Sequence, residues 1–268
     1  MGKVVACIIA RAVSTRLPLK VLRSLGGEYT MLDYMIKRLK TIRIIDEVFI
    51  CTSYETVDEI MEDIGARNDV KVYRGSPENV IERMIAVGDL TDADLLIRIT
   101  GDNPFTSVEY INDQVEFLRN RSLDYVRLID VPIGATAEVM TRKALENCYA
   151  AMDPSVSEYL MLFMFEPKNF RCGVIRPFVS DYSNYSVTVD TPADLERTRA
   201  ILEKYQMPPL GIKLAEIVAI MENNELPSAT IKPAGKIKLP YGQETDFRDF
   251  QVDMQRRVSE SELMTMYA

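Results

Sequence analysis

The first half of the chain alternates short apolar runs with segments whose apolar residues recur at helical spacing. Residues 3–10 (KVVACIIA) form a continuous apolar run, which is typical of a parallel strand buried on both faces. Further strands are predicted at 47–52, 70–73 and 95–100. Helices are predicted at 31–40, 55–64, 77–87 and 108–118, with Gly65 ending the second and Ser76 capping the third, whose first residue is Pro77. This order predicts a doubly wound, mostly parallel α/β sheet flanked by helices.

After residue 125 the alternation becomes less regular. A strand pattern returns at 186–190 (SVTVD), and a helix is predicted at 192–205 with Thr191 as its N-cap. We therefore predict a main domain over 1–226, a subdomain inserted at 132–183 with helices at 141–151 and 155–165 and a strand at 170–179, and a C-terminal arm over 227–268. The arm has no core pattern of its own, so it either packs on the domain or on a second copy of the chain, or is disordered.

The composition excludes several classes of protein. Of 268 residues, 47% are hydrophobic and 27% are charged, which is typical of a globular chain. The formal net charge of −8 argues against a nucleic-acid partner, which requires clustered positive charge. No apolar run approaches the ~20 residues of a membrane span, so we expect a cytoplasmic location and no membrane partner.

The chain contains no histidine, which restricts its possible chemistry. Histidine metal sites and Ser-His-Asp or Cys-His nucleophile systems are excluded. The four cysteines form no CxxC pair and are expected to be reduced and packed as small apolar residues. Catalysis must therefore rely on carboxylates, lysine, arginine, backbone N–H groups or a hard metal ion.

Three cations, Arg11, Arg16 and Lys20, lie in one loop after the first predicted strand, with Ser14 between them. In open α/β sheets, ligands bind outside the carboxyl ends of the strands. Arginine binds phosphate through a fork of donors, and lysine binds it as a point charge. The loop is therefore a candidate triphosphate site, and the alternative is a solvated basic loop.

Two aspartates follow predicted strands in a similar way. Asp102 comes just after the strand at 95–100, and Asp190 ends the strand at 186–190. Mg²⁺ often takes one or two carboxylates together with substrate phosphates, so both are candidate metal ligands. The alternative for Asp102 is a turn or a helix cap. Asp194 is interpreted as a residue of a helix first turn, where the helix dipole favours negative charge.

Other motifs carry less information. Neither GxGxxG nor GxxxxGK[ST] occurs, so neither common nucleotide fingerprint is present. The triplet Arg74-Gly75-Ser76 follows another predicted strand and either lines a base pocket or forms a turn. The apolar stretch 159–165 (YLMLFMF) is interpreted as core or as a subunit interface, and the second reading predicts a homodimer.

Taken together, these clusters resemble the cytidylyltransferase family, which includes enzymes that activate acylneuraminate and 3-deoxy-manno-octulosonate. The resemblance is greatest to its spore coat polysaccharide biosynthesis protein F branch. The chain is similar to the pattern A-R-x-x-S-T-R-L-P-x-K-V-L at 10–22, to R-G-S at 74–76, to R-I-T-x-D-x-P at 98–104 and to V-D-T-P-x-D-L at 189–195. The matches follow the family order over residues 3–202.

The resemblance implies a Rossmann-like nucleotidyltransferase fold of the nucleotide-diphospho-sugar transferase type. It also implies transfer of a nucleoside monophosphate, usually from CTP, to a sugar or sugar acid with release of pyrophosphate, for surface polysaccharide or glycan biosynthesis. It implies Mg²⁺ as the cofactor on Asp102 and Asp190, and catalytic roles for Lys20, Arg11 and Arg16. The nucleotide-binding residues it implies are Ala10, Arg11, Ser14, Arg16, Lys20, Arg74, Gly75, Ser76, Arg98, Thr100 and Gly101.

Three positions depart from the family pattern. Val13 stands where a glycine usually precedes the serine, and Leu19 stands where a small residue usually precedes the lysine. Glu158 is followed by Tyr159 where members often carry a Glu-His pair. Bulk at the first two positions removes backbone freedom where N–H groups would approach phosphates.

Two other functions stay open at this point. One is a glycosyltransferase that uses a nucleotide sugar, although such enzymes typically carry Asp-x-Asp and this chain has Gly101-Asp102-Asn103. The other is a non-catalytic nucleotide-binding homologue.

Overall fold

A computed structural model describes residues 2–205, 210–224, 226–231 and 235–267. Residues 1, 206–209 and 225 of the predicted main domain, and 232–234 and 268 of the predicted arm, lie outside the described residues. The strands are β1 (Lys3–Ile9), β2 (Glu47–Ser53), β3 (Lys71–Gly75), β4 (Ala93–Thr100), β5 (Tyr125–Leu128), β6 (Glu138–Thr141), β7 (Cys172–Arg176), β8 (Lys236–Lys238), β9 (Glu244–Asp246) and β10 (Glu262–Thr265). The α-helices are α1 (Met31–Leu39), α2 (Ile60–Asn68), α3 (Val80–Thr91), α4 (Ile111–Arg121), α5 (Arg142–Ala151), α6 (Leu160–Met164), α7 (Pro192–Leu202), α8 (Leu214–Asn223) and α9 (Phe247–Ser259).

Eight strands form one sheet in the order β3-β2-β1-β4-β6-β5-β7-β10. The strand β1 lies at its centre and pairs in parallel with β2 and β4, with Ala6 opposite Val48 and Ile97. The one strand of this sheet that runs antiparallel to its neighbours is β6, between β4 and β5. The predicted mostly parallel sheet flanked by helices is confirmed.

Both faces of the sheet are covered, which explains why β1 is apolar from Val4 to Ile9. Val4, Ala6 and Ile8 pack toward the core under α1, α2, α4, α7 and α8. Val5 and Cys7 pack toward a second core under α3, α5 and α6. The four cysteines are free buried thiols. Alternate residues of a strand point to opposite faces, so a strand covered on both sides needs apolar residues at every position.

Several predicted helix boundaries are wrong, among them the end of α2 and the start of α3. Gly65 does not end α2 but lies inside it, because its missing side chain lets the helix approach the chain after it; a Cβ there would lie 2.9 Å from the Val70 carbonyl oxygen. The helix ends at Asn68, before Asp69 in the left-handed region with φ 52°. Likewise α3 begins at Val80 after Asn79, not at Pro77 after Ser76.

The predicted strand at 186–190 is not a ladder strand of the sheet. Only an isolated bridge joins Ser186 to Ile133. Its extended backbone is held by loops instead: the N–H of Val187 donates to the Ile133 carbonyl at 2.8 Å, and the N–H of Val189 donates to the Asp102 carbonyl at 2.8 Å. An alternating pattern predicts extended backbone, but it does not say whether the partner is a strand or a loop.

The segment predicted as an inserted subdomain, 132–183, supplies β6 and β7 to the same sheet. The described part of the predicted arm supplies the small β8–β9 hairpin, the helix α9 and the edge strand β10, which pairs in parallel with β7. Ion pairs from Arg256 and Arg257 to Glu166 fasten α9 to the chain before β7. None of the described helices is long and apolar enough to span a membrane.

Candidate active site

Lys20, Asp102 and Asp190 meet at the carboxyl ends of the central strands. The Lys20 ammonium donates to Asp102 Oδ2 at 2.6 Å and to Asp190 Oδ1 at 2.9 Å. Arg16 adds a second cation, with Nη2 2.9 Å from the same Asp190 oxygen. The Lys20 side chain is 15% exposed and both aspartates are 25% exposed, so a ligand entering from solvent can reach all three. The structure thus brings together two carboxylates that are far apart along the chain.

Asp102 is placed by the contact between the ends of β1 and β4. The N–H of Gly101 donates to the Ile9 carbonyl at 2.7 Å. A Cβ on Gly101 would lie 2.9 Å from the Cβ of Ala10, so the approach requires glycine. Asn103 Nδ2 donates to Thr100 Oγ1 at 2.5 Å and closes the turn. Ala10 and Gly101 therefore support the site through close backbone packing, and Thr100 supports it through its hydroxyl.

Asp190 is placed by the start of α7. Thr191 is the N-cap, and its hydroxyl accepts from the N–H of Asp194 while the Asp194 carboxylate accepts from the N–H of Thr191, which makes a capping box. The predicted cap is confirmed, and Asp194 is the first-turn residue that the sequence indicated. Asp190 immediately precedes the cap, so the start of α7 fixes the backbone from which its side chain projects.

The loop between β1 and Lys20 is anchored at two buried points. The N–H of Ala12 donates to Asp58 Oδ1 at 2.6 Å, and Leu17 is 5% exposed. The Ser14 hydroxyl accepts from the N–H of Leu17 at 3.4 Å. Between these anchors, Val13 is 52% exposed, so its bulk is not packed inside.

Leu19 has the left-handed backbone conformation, with φ 55°, directly before the short 3-10 turn Lys20–Leu22. For a residue other than glycine, this conformation costs about 1–2 kcal/mol. The departure from the family pattern at this position is therefore a strained leucine next to the lysine of the site, where glycine would be unstrained.

The electrostatics of the site keep Lys20 charged. Burial lowers its pKa, but the charges and hydrogen bonds of Asp102 and Asp190 outweigh burial, and the pKa lies above its ordinary value. Two carboxylates therefore face two cations, Lys20 and Arg16. A ligand that brings both phosphate and a cation can exchange partners with this group without leaving a charge unpaired.

Two other predicted cations, Arg11 and Arg74, form a second group at the ends of β2 and β3. Arg11 Nη2 donates to Glu55 Oε2 at 2.9 Å, and Nη1 donates to the Pro77 carbonyl at 3.2 Å. Arg74 donates to the Tyr54 and Glu55 carbonyls at 3.2 Å and pairs with Glu62. In the same region, Gly75 packs against the Arg83 side chain, and Ser76 Oγ donates to Glu78 at 3.1 Å.

Arg98 is placed differently from the other predicted residues. Its Nη1 donates to Glu138, which also accepts from the Tyr125 hydroxyl at 2.6 Å. This buried network links β4, β5 and β6 within the sheet. Burial and the Glu138 charge hold the pKa of Tyr125 well above its usual range, so the hydroxyl remains a donor. The contacts of Arg98 are thus to the sheet, and it does not join the group around Lys20.

Two supporting residues were missed by the sequence reading. Asp58 fixes the loop after β1 through Ala12. Arg38, 1% exposed, donates to the Pro104 carbonyl at 2.7 Å and to the Leu210 and Ile212 carbonyls at 3.1 Å, and so anchors the turn that carries Asp102. No local signal marks these contacts, because Ala12 lies 46 residues from Asp58 and Pro104 lies 66 residues from Arg38.

The carboxylate pair has the chemistry of a magnesium site. Within the described ranges, no group of three or more acidic or cysteine side chains is arranged so that it could hold a metal ion. Asp102 and Asp190 provide hard oxygen donors beside the cations Lys20 and Arg16. Mg²⁺ often uses only one or two carboxylates and takes its other ligands from phosphates and water, so these residues fit the ion.

The match that decides the family covers most of this site. A family model described as cytidylyltransferase matches residues 5–172. The chain belongs to the cytidylyltransferase family. The match includes β1, the loop to Lys20 and the turn of Asp102, while Asp190 lies beyond its end. Membership makes the chain a nucleotidyltransferase enzyme, and it confirms the resemblance found in the sequence.

Individual relatives agree with the family. The spore coat polysaccharide biosynthesis protein SpsF of Bacillus subtilis (strain 168) is 28% identical over 232 residues, covering 84% of this chain and 96% of its own. A 3-deoxy-manno-octulosonate cytidylyltransferase of Koribacter versatilis is 30% identical over 134 residues, 49% of each chain. Among solved structures, a cytidylyltransferase of Leptospira borgpetersenii superposes with a TM-score of 0.78 at 25% identity, covering 87% of this chain and 100% of that one.

Proposed function

We propose that the protein transfers cytidine monophosphate from CTP to an oxygen of a sugar or sugar acid, releases pyrophosphate and uses Mg²⁺. The observation that carries this proposal is the shared contact of the Lys20 ammonium with Asp102 and Asp190. It gives one place where phosphate-binding cations and metal-binding carboxylates stand together. The proposed biological role is surface polysaccharide or glycan biosynthesis in the cytoplasm, and the proposed assembly is a homodimer.

In the proposed reaction, the acceptor hydroxyl gives its proton to water, and its oxygen attacks the α-phosphorus and forms a new P–O bond. The bond from the α-phosphorus to the bridging oxygen breaks, and pyrophosphate leaves with its electron pair. Negative charge then grows on the leaving group, which Lys20 and Arg16 would neutralise. Fixed charges of this kind stabilise phosphoryl-transfer transition states without a histidine base.

A divalent cation held by Asp102 and Asp190 would supply Lewis-acid charge and lower the pKa of the acceptor oxygen. Lys20 and Arg16, released from the carboxylates, would turn to the phosphates. Arg11 and Ser14 are proposed to reach the phosphates from the start of the loop. Arg74, Gly75, Ser76, Arg98, Thr100 and Gly101, with Ala10, complete the proposed nucleotide site, in which Arg98 would act through the sheet rather than by contact.

A pyrophosphate-release screen tests this proposal. The purified protein is incubated with Mg²⁺ and each of the four NTPs, in the presence of a panel of sugar acids and sugar phosphates. We expect release with CTP and at least one acceptor, and a matching CMP-linked product by mass spectrometry. The control is Lys20→Ala, which should release none. Release of a nucleoside diphosphate from a nucleotide sugar would instead establish a glycosyltransferase, and binding of CTP without turnover would establish a non-catalytic homologue.

A further inference from the structure

A buried ion pair contacts the backbone of Asp190. Asp194, in the first turn of α7, forms it with Arg197, three residues further along the helix; Arg197 Nη1 lies 2.9 Å from Asp194 Oδ1. The Arg197 side chain is fully buried. A helix cap alone does not require a buried guanidinium, so the pair calls for an explanation beyond capping.

The Asp194 carboxylate accepts a hydrogen bond from the backbone of Asp190. Its Oδ2 accepts from the N–H of Asp190 at 3.0 Å, as well as from the N–H and hydroxyl of Thr191, both at 2.8 Å. The bonds to Thr191 belong to the capping box. The bond to Asp190 reaches one residue further back and fixes the peptide from which the Asp190 side chain projects.

Arg197 binds the other end of the segment 188–191. Its Nη2 donates to the Thr188 carbonyl, and its Nη1 also donates to the Ser228 carbonyl at 2.5 Å. Between Thr188 and Asp190, the N–H of Val189 donates to the Asp102 carbonyl at 2.8 Å. The backbone of 188–191 is therefore tied to the buried pair at both ends and to the turn of Asp102 in the middle.

A Thr-Asp capping box elsewhere in the chain serves as an internal comparison. At the start of α1, Thr30 and Asp33 make the same reciprocal bonds. The bonds described for the Asp33 carboxylate go to Thr30, Arg67 and Asn68, and the Arg67 side chain is 49% exposed. The local motif is the same, but only the box in α7 has a buried guanidinium and a site carboxylate directly before its cap.

We infer that Asp194 and Arg197 are positioning residues that aim the Asp190 carboxylate at Lys20 and at the metal. The catalytic part of this inference rests on the proposed function. When Asp194 is replaced by asparagine, the N–H of Asp190 loses its charged acceptor. The side-chain carboxylate of Asp190 is then no longer held in one direction. Groups behind metal ligands commonly control metal affinity in this way.

Substitution of Asp194 tests the inference, with Asp33→Asn as the matched control. We expect Asp194→Asn to raise the half-saturating Mn²⁺ concentration for pyrophosphate release by about tenfold. We expect kcat to fall about 100-fold while KM for CTP changes little, because a shift of ~1 Å in a reacting group has effects of that size. Asp33→Asn should lower Tm but leave kcat and the Mn²⁺ dependence unchanged. A loss in Asp194→Asn that only follows its Tm, with the Mn²⁺ dependence unchanged, would overturn the inference.

The double variant Asp190→Asn/Asp194→Asn gives the sharpest result. If Asp194 acts through Asp190, its substitution has no further effect on kcat once Asp190 is an amide. Independent losses that multiply would contradict the inference. If Asp194→Asn does not fold, Arg197→Lys takes its place, because lysine keeps the charge beside Asp194 but loses the fork that also reaches Thr188.

A crystal structure of Asp194→Asn, or of Arg197→Lys in its place, separates this inference from the proposed function. The expected result is that the Asp190 carboxylate leaves hydrogen-bond distance of Lys20, while the structure of Asp33→Asn keeps it there. This result holds even if the wild-type protein releases no pyrophosphate with any acceptor, in which case only the proposed function fails. An unmoved Asp190 carboxylate in the variant would refute the positioning role.

Discussion

The two groups of predicted site cations differ in what already neutralises them. Lys20 and Arg16 face two aspartates that come from 82 and 170 residues further along the chain than Lys20. Arg11 faces Glu55, whose side chain is 42% exposed. Exposed ion pairs contribute only about 0–1 kcal/mol, whereas partly buried charges interact more strongly. The Arg11 pair is thus exchanged for a ligand at little cost, whereas release of Lys20 from its two aspartates requires a ligand that supplies both phosphate and a cation.

The largest expected effect is on the Lys20 group. We predict that Lys20→Ala and Asp102→Ala each lower turnover about 1000-fold or more, because each removes a charge that acts at the reacting phosphate. Steady-state pyrophosphate release measures this, and the far-UV circular dichroism melting curve shows that the variants fold. Wild-type-like rates in either variant would remove these residues from the mechanism.

Lys20 also occupies the space between the two carboxylates, which predicts how metal binds. In Lys20→Met, the ammonium no longer competes for Asp102 and Asp190, so Mn²⁺ should bind in the absence of nucleotide about tenfold more tightly than to wild type. Electron paramagnetic resonance of free Mn²⁺ measures the difference. Addition of Asp190→Asn to this variant should abolish the gain, and equal affinities in Lys20→Met and wild type would contradict the competition.

A smaller effect is expected at the second group. Arg11→Gln should raise KM for CTP about tenfold, the size of one lost charged hydrogen bond, with kcat within a few-fold of wild type. Glu55→Gln frees Arg11 from its partner and should lower KM slightly. Initial rates over a range of CTP concentrations test both. A fall in kcat as large as that of Lys20→Ala would erase the distinction between the two groups.

The smallest expected effect concerns the backbone next to Lys20. Leu19→Gly removes a left-handed leucine but adds flexibility to the unfolded chain, so the free energy of unfolding should rise by about 1 kcal/mol or less. Urea denaturation measures this free energy. Val13→Gly is the control: Val13 has no positive φ, so that variant should gain no stability. A loss of stability in Leu19→Gly would mean that the leucine side chain contributes packing that outweighs the strain.

Much of the fold could be predicted from local patterns. The apolar runs located β1, β2, β3 and β4 to within a few residues, and Thr191-Pro192 located the start of α7. The start of α3 could not be predicted, because Ser76 and Pro77 are good starting residues locally and yet the Pro77 carbonyl is used by Arg11. The contact of Arg98 with Glu138 could not be predicted either, since the two residues are 40 positions apart.

The sequence by itself determined the alternation of strands and helices, the loop of cations after β1 and the two aspartates that follow extended segments, because these depend on spacing along the chain. Only the tertiary structure decided which cations meet which carboxylates. Lys20, Asp102 and Asp190 come together because Gly101 lets two strand ends touch and because the N–H of Val189 binds the Asp102 carbonyl. The direction of a charged side chain depends on buried partners such as Arg197, and burial is a property of the packed chain rather than of any local segment.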